Sequence, residues 1–303
     1  MFPYQEGVDM AIIKVTGLTK YYGSIVGVED VSFSVEEGEI FGFLGPNGAG
    51  KTTTIRLLMQ LLRPDRGRIA LFGAPLDAPR TDLHERIGYL PGEFHPYLNM
   101  TGRRFLHYMA HYRARPPTLR PYLLDKLLVT ERALAQPIKH LSHGNRQKLG
   151  LILALEHEPD LAILDEPTLG LDPLMQDAFY DILKTLQDRG KTVFLSSHVL
   201  SEVEKVCHRV AIVRGGALVA LESLDALKQK RPRRLIVALD QAEPPALPGA
   251  RLLSQDAGRF VYLVEGAIRA VLRALAEMPV EDVVFPEPDL EDVFMAYYQE
   301  EKA

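Results

Sequence analysis

Ile40-Phe41-Gly42-Phe43-Leu44-Gly45-Pro46-Asn47-Gly48-Ala49-Gly50-Lys51-Thr52-Thr53 is the stretch that decides how this chain folds. Ile40 to Leu44 is a short apolar run of the kind that forms a buried strand, and Gly38-Glu39 ahead of it marks a turn. Gly45 to Thr52 then fits G-x-x-x-x-G-K-[ST]. A loop with this glycine content points backbone N–H groups inward around a phosphate, where side chains would block the approach. From Thr53 to Leu62 the residues Ile55, Leu58, Met59 and Leu62 share one helical face, and Pro64-Asp65-Arg66-Gly67 closes the helix. Strand, glycine loop and helix in this order bring the positive end of the helix dipole to the anion. Lys51 adds a charge for phosphate oxygens, and Thr52 offers the kind of hard oxygen that Mg²⁺ prefers.

Working outward, Leu161-Ala162-Ile163-Leu164-Asp165-Glu166 is an apolar run closed by two acids. A buried strand of this type delivers its last residues to the carboxyl edge of a sheet, where ligands bind. Transfer of a phosphoryl group to water needs one carboxylate to hold the metal through water and another to polarise the attacking water. Asp165 suits the first task and Glu166 the second; the alternative is a helix-capping pair ahead of Pro167. Ile12–Val15 and Val31–Val35 read as short strands, Thr192–Leu195 as a further strand, and Leu149–His157 and Asp177–Asp188 as helices. This alternation implies a mostly parallel α/β sheet. Between Thr101 and His140 the pattern is helical and broken by Pro116-Pro117 and Pro121, which gives a helical subdomain over about residues 98–146.

A length of 303 residues suggests two domains, and a 47% apolar content is enough to give each a core. The net charge of -5 argues against a nucleic-acid partner, which demands a basic face. The single cysteine, Cys207, excludes an internal disulfide framework and reads as a packing residue. No run approaches the ~18 apolar residues of a membrane helix, and Leu149 to Leu155 is far too short. Met1-Phe2-Pro3-Tyr4-Gln5-Glu6 lacks the basic and apolar regions of a signal peptide. Composition breaks at Lys228-Gln229-Lys230-Arg231-Pro232-Arg233-Arg234, read as a solvated linker or, alternatively, as a contact for lipid headgroups. Beyond it, strands at Leu235–Leu239, Phe260–Val264 and Val280–Phe285 and a helix at Ala267–Glu277 outline a small α+β module. The expected division is an extension over residues 1–10, a nucleotide domain over 11–228 and an accessory module over 229–303.

Three further stretches complete a fixed series: Leu141-Ser142-His143-Gly144-Asn145, Gly170-Leu171-Asp172-Pro173, and His198 after Val193-Phe194-Leu195-Ser196-Ser197. In this order the motifs resemble those of the ATP-binding subunit of an ABC transporter, from about Ile12 to Leu224. The resemblance implies a P-loop NTPase fold of the ABC ATPase type, ATP and Mg²⁺ as ligands, and ATP hydrolysis coupled to transport. It implies ATP binding by Gly45, Pro46, Asn47, Gly48, Ala49, Gly50, Lys51, Thr52 and Thr53, with metal held by Thr52 and Asp165. Glu166, His198 and Lys51 become the catalytic group, His198 as the switch histidine at the γ-phosphate. Tyr22 matches the aromatic that stacks on adenine, with Tyr21 beside it leaving the register open. Ser142, His143, Gly144 and Asn145 match the signature that contacts the γ-phosphate held by a second subunit; read alone, Ser142 is a good helix N-cap. Asp172 matches the loop through which two subunits sense each other.

The resemblance is broken in three places. Gly92-Glu93 follows Pro91 where the family carries glutamine; His143 and Asn145 replace glycine and glutamine; and Leu169 replaces serine. Variants of this kind, with Gly-Asn-Arg-Gln in the signature, resemble ATPases paired with separately encoded permeases of drug or antibiotic exporters, and Leu290-Glu291-Asp292-Val293-Phe294 resembles the usual ending of that branch. The implied partners are a membrane permease and a second ATPase subunit, in a homodimer on the cytoplasmic face of the membrane, with no nucleic acid. The competing expectations are a soluble ABC-type ATPase acting on ribosomes or DNA, a P-loop kinase or GTPase, and a non-hydrolysing regulator.

Overall fold

The computed structural model describes residues 11–229, 233–240, 243–256, 258–264 and 268–286. The expected N-terminal extension, the centre of the basic run and the Leu290–Phe294 ending lie outside them. By its internal contacts the chain parts into two compact units between Ser223 and Leu224.

The first unit opens with β1 (Ala11–Tyr22) and β2 (Ile25–Glu36), an antiparallel hairpin. Each strand is 12 residues long, where the apolar runs alone predicted short ones. Pairing extends through polar residues as far as Tyr22 and Ile25, with register shifts on the way that let a long, twisted ladder form. β3 (Ile40–Leu44) is buried along its whole length and runs into the glycine loop and α1 (Lys51–Leu58). The predicted helix reached Leu62, but Gln60 adopts a left-handed backbone (φ 55°). The N–H groups of Leu61 and Leu62 then both turn back to the Arg56 carbonyl and end the helix. The Gln60 side chain bridges the Ala78 carbonyl and the Arg80 N–H, so a tertiary contact, not Pro64, sets this end.

β4 (Arg66–Leu71) and β5 (Ala74–Pro75) complete a four-stranded antiparallel sheet in the order β2-β1-β4-β5. After α2 (Thr81–His84) and β6 (Ile87–Leu90) comes a helical stretch made of α3 (Gly102–Ala110), α4 (Arg120–Lys126), α5 (Glu131–Ala135) and a 3₁₀ turn at Ile138–His140. α6 (His143–Leu155), β7 (Leu161–Asp165), α7 (Pro173–Asp188), β8 (Thr192–Ser197), α8 (Leu200–Val206), β9 (Arg209–Arg214) and β10 (Ala217–Ser223) follow. α6 starts six residues before the predicted Leu149, because the Ser142 hydroxyl accepts from the Asn145 N–H and caps it. α7 starts before Asp177, because Asp172 caps it and Pro173 fits its first position.

The six-stranded sheet has the order β10-β9-β3-β8-β7-β6. Its strands are parallel except for the β9–β10 hairpin at one edge. Both faces of β3, β7 and β8 are covered, which explains their unbroken apolar character. The core between the two sheets is aromatic: Phe33 lies 5.7 Å from Phe41 and 6.0 Å from Phe194, centroid to centroid. Cys207 is buried at the end of α8, and burial pushes its thiol well above the usual range, which makes it a packing residue.

In the second unit α9 (Leu224–Gln229) precedes β11 (Arg233–Leu239), β12 (Ala250–Asp256), β13 (Arg259–Val264), α10 (Ile268–Ala276) and β14 (Val280–Val284). The strands form an antiparallel sheet in the order β12-β13-β11-β14. Leu235, Val237, Phe260 and Tyr262 face Val271 and Leu275 of α10 in a core of its own. β12 escaped the sequence reading because its residues are exposed almost throughout and show no apolar alternation. Among the described residues, no helix is long and apolar enough to cross a membrane.

Candidate functional site

The carboxyl ends of β3, β8 and β7 lie side by side in the sheet, and they gather residues that are far apart in sequence. The glycine loop leaves β3 and closes on α1, where Gly50 (φ 105°) is the N-terminal boundary residue. Its exit is fixed to the neighbouring strand by the Gly45 N–H, which donates to the Ser197 carbonyl at 3.2 Å.

Asp165 ends β7 with no exposed surface. One of its carboxylate oxygens accepts from the Thr52 hydroxyl at 2.8 Å, the other from the Ser196 hydroxyl at 2.5 Å. Glu166 follows in a left-handed backbone (φ 48°), and its N–H donates to the same Ser196 hydroxyl at 3.1 Å. Neither acid caps a helix, so the capping alternative falls. The Glu166 carboxylate meets Lys51 Nζ at 3.1 Å through one oxygen and His198 Nδ1 at 2.7 Å through the other. Lys51 is itself buried and donates to the carbonyls of Gly45 (2.7 Å) and Pro46 (3.2 Å). The structure thus brings Lys51, Thr52, Asp165, Glu166 and His198 into one continuous set of contacts. Ser196, which holds both acids, was not singled out in the sequence; its only signal was a polar residue near the end of a buried strand, two positions before His198.

Tyr22 is 42% exposed, with its hydroxyl 3.5 Å from that of Thr53 on the first turn of α1. Tyr21 is engaged elsewhere, donating to the Glu29 carboxylate at 2.6 Å. Of the two tyrosines, Tyr22 therefore flanks the glycine loop. The hydrogen bond of the Ser142–Asn145 stretch is the cap of α6, and Asp172 caps α7 by accepting from the Met175 N–H at 3.0 Å.

Glu93 stands apart from the acids. Its side chain is 90% exposed, 3.8 Å from His95. The neighbouring Gly92 is packed against Asp165, so closely that a methyl group added there would lie 3.1 Å from the Asp165 carboxylate. The residues do suit Mg²⁺. Thr52 and Asp165 present a hydroxyl and a carboxylate at one point, and Mg²⁺ takes one or two protein oxygens and fills the rest with water and phosphate. Among the described residues no cluster of three or more histidine, cysteine or acidic side chains offers an all-protein metal cage.

A sequence profile described as ABC transporter matches residues 28–169. The chain is 37% identical to the bacitracin transport ATP-binding protein of Bacillus licheniformis over 74% of this chain and 74% of that one. It is also 37% identical to a Nod factor export ATP-binding protein of Paraburkholderia xenovorans, over 72% of each. A solved structure of an ATP-binding subunit of an ABC transporter superposes with a TM-score of 0.66 at 32% identity, covering 72% of this chain and 92% of that one.

Proposed function

This chain belongs to the ABC transporter ATP-binding proteins, and from that membership we propose how its residues carry the ATPase reaction and what the subunit drives. It is an ATP-binding, ATP-hydrolysing transport subunit. The observation that carries the assignment of roles is the gathering of Lys51, Thr52, Asp165, Glu166 and His198 at the ends of three adjacent strands. Gly45 to Thr53 bind the phosphates of ATP, and Tyr22 stacks on adenine. Thr52 and Asp165 hold Mg²⁺, which supplies charge neutralisation at the phosphate oxygens when bound. Glu166 orients water for in-line attack and accepts its proton; the new bond is from water oxygen to the γ-phosphorus, and the bond to the β–γ bridging oxygen breaks, giving ADP and phosphate. His198 holds Glu166 at one oxygen and Lys51 at the other. Catalysis is positioning and charge stabilisation.

The subunit pairs with a second copy, and Ser142, His143, Gly144 and Asn145 of each reach the nucleotide of the other, with Asp172 at the shared face. The pair drives a separately encoded permease from the cytoplasmic side of the membrane, in the export direction. The relatives named for bacitracin transport and Nod factor export support that reading. Residues 11–228 form the ATPase domain and 229–303 an accessory module. The test is phosphate release from Mg-ATP by the purified chain, beside Lys51→Ala. Equal release by both would remove the glycine loop from the reaction. Co-purification from membranes, with the partner identified by mass, distinguishes a permease from the ribosome or DNA of the competing reading.

A further inference from the structure

His143 and Gln147 stand four residues apart on α6 and so face the same way. Both touch the turn that follows Glu166. Gln147 is buried and donates to the Pro167 carbonyl at 3.0 Å. The Cδ2 edge of the His143 ring meets the backbone at Gly170, where a methyl group would stand 2.2 Å from Cδ2 and 2.8 Å from Nε2. Gly170 also has a left-handed backbone (φ 80°), and its carbonyl packs on Gly144, where a methyl group would stand 2.7 Å from it. The turn has little slack of its own: the Leu169 N–H donates to the Glu166 carbonyl at 3.2 Å, and the Leu171 N–H to the Thr168 carbonyl at 3.0 Å. It runs directly from Glu166 to Asp172, the cap of α7.

A second observation falls in the same place. A cavity of about 430 Å³ is lined by Gly92, Glu93, His143 and Leu169 among others. These residues come from all three places where the chain departs from the sequence pattern it otherwise follows. Gly92, Glu93, His143 and Leu169 meet in space although they are scattered along the chain, so they form one local solution.

We propose that His143 is a positioning residue: its ring, keyed onto Gly170, ties the opening turn of α6 to the turn that carries Glu166 and Asp172, so that the three shift as one body. The contact is made by the ring edge against a glycine backbone, so it depends on the presence of a ring and not on charge. The inference rests on the ATPase reading of the site and deepens it.

Four variants of the full chain test this: His143→Gly, His143→Phe, Gly170→Ala, and the double variant H143G/G170A. Steady-state kcat and KM for Mg-ATP are measured for each, with thermal unfolding alongside. His143→Gly is expected to lower kcat roughly 5- to 50-fold by loosening the turn, with KM for ATP within about twofold of the parent. His143→Phe restores most of kcat, because it restores the ring without the ionisable nitrogens. Gly170→Ala lowers kcat alone, and lowers it less in the His143→Gly background, where its methyl group no longer meets a ring; that non-additivity is the signature of direct coupling. Parental kcat in His143→Gly, or a His143→Phe variant as slow as His143→Gly, would overturn the proposal. A fall in unfolding temperature that tracks kcat across the series would also overturn it, by reducing His143 to a stability residue. A parent chain that releases no phosphate would instead overturn the ATPase reading, and this inference with it.

Discussion

Glu166 and His198 are joined by a 2.7 Å contact between Oε2 and Nδ1, while the other carboxylate oxygen of Glu166 faces Lys51 Nζ at 3.1 Å. The carboxylate of the residue after β7 thus links the histidine after β8 to the lysine that opens α1. Glu166→Gln keeps the shape but loses the basicity and the charge. It is expected to bind Mg-ATP and to hydrolyse it roughly 10²–10⁴ times more slowly. With turnover blocked, ATP should hold two copies together, and size-exclusion chromatography with ATP should show a dimer peak. A variant that stays monomeric and turns over at the parental rate would take Glu166 out of the mechanism.

The 2.8 Å contact from the Thr52 hydroxyl to Asp165 sets a second expectation. Thr52→Ala removes the hydroxyl oxygen and should raise the Mg²⁺ concentration for half-maximal ATPase, while Thr52→Ser should restore it. Titration of activity with Mg²⁺ at fixed ATP is the measurement. An equal Mg²⁺ requirement in Thr52→Ala and the parent would move the metal elsewhere.

Gly92 and Glu93 are adjacent in sequence and opposite in setting. Glu93→Ala should leave the Mg²⁺ requirement of the isolated subunit unchanged, since the side chain is 90% exposed. Its effect should fall on transport with the permease present. Gly92→Ala brings a methyl group to 3.1 Å from the Asp165 carboxylate and should disturb the isolated ATPase itself. The reverse pattern, with Glu93→Ala sensitive to Mg²⁺ and Gly92→Ala silent, would mean that Glu93 reaches the metal.

His157 makes the acid side of the stability curve testable. It is 3% exposed, and burial, helped by the charge of Arg113, lowers its pKa to about 3. The unfolded chain takes up the proton near the ordinary value of about 6.5. Between those two values the unfolded state binds more protons than the folded one, so stability falls as pH drops from about 6.5 towards 3. His157→Gln should flatten that limb in denaturant melts at stepped pH. Asp160 acts lower down: burial raises its pKa, but hydrogen bonds from Arg115, Arg86 and Lys191 outweigh this and hold it below the usual carboxylate range. Its contribution is therefore lost only below about pH 4. An unchanged limb in His157→Gln would show that other groups govern acid unfolding.

The parts of the site that were legible in the sequence are those that buried parallel strands deliver. Ile40–Leu44 and Leu161–Asp165 are covered on both faces, so their apolar runs, and the loop and acids that follow, could be read directly. The start of α7 was written in Asp172-Pro173, a capping residue and a first-turn proline, yet the apolar period began only later and hid it. The end of α1 was not legible, because Gln60 is turned by contacts with residues 78 and 80. Ser196 and the His143–Gly170 contact were also out of reach, since each depends on which elements the fold sets side by side.

Thr52 on α1 and Asp165 on β7 touch across 113 residues of chain, and Ser196 holds Asp165 from β8. On the proposed assignment of the site, a nucleotide seated there would clamp together segments that only the folded chain brings near. ATP would then be a structural ligand as well as a fuel. At a concentration one hundred times its dissociation constant it would add about 2.7 kcal/mol to the stability of the folded state. That support would be withdrawn with each release of product, so in every turnover the protein would pass through its least robust form at the moment the site empties.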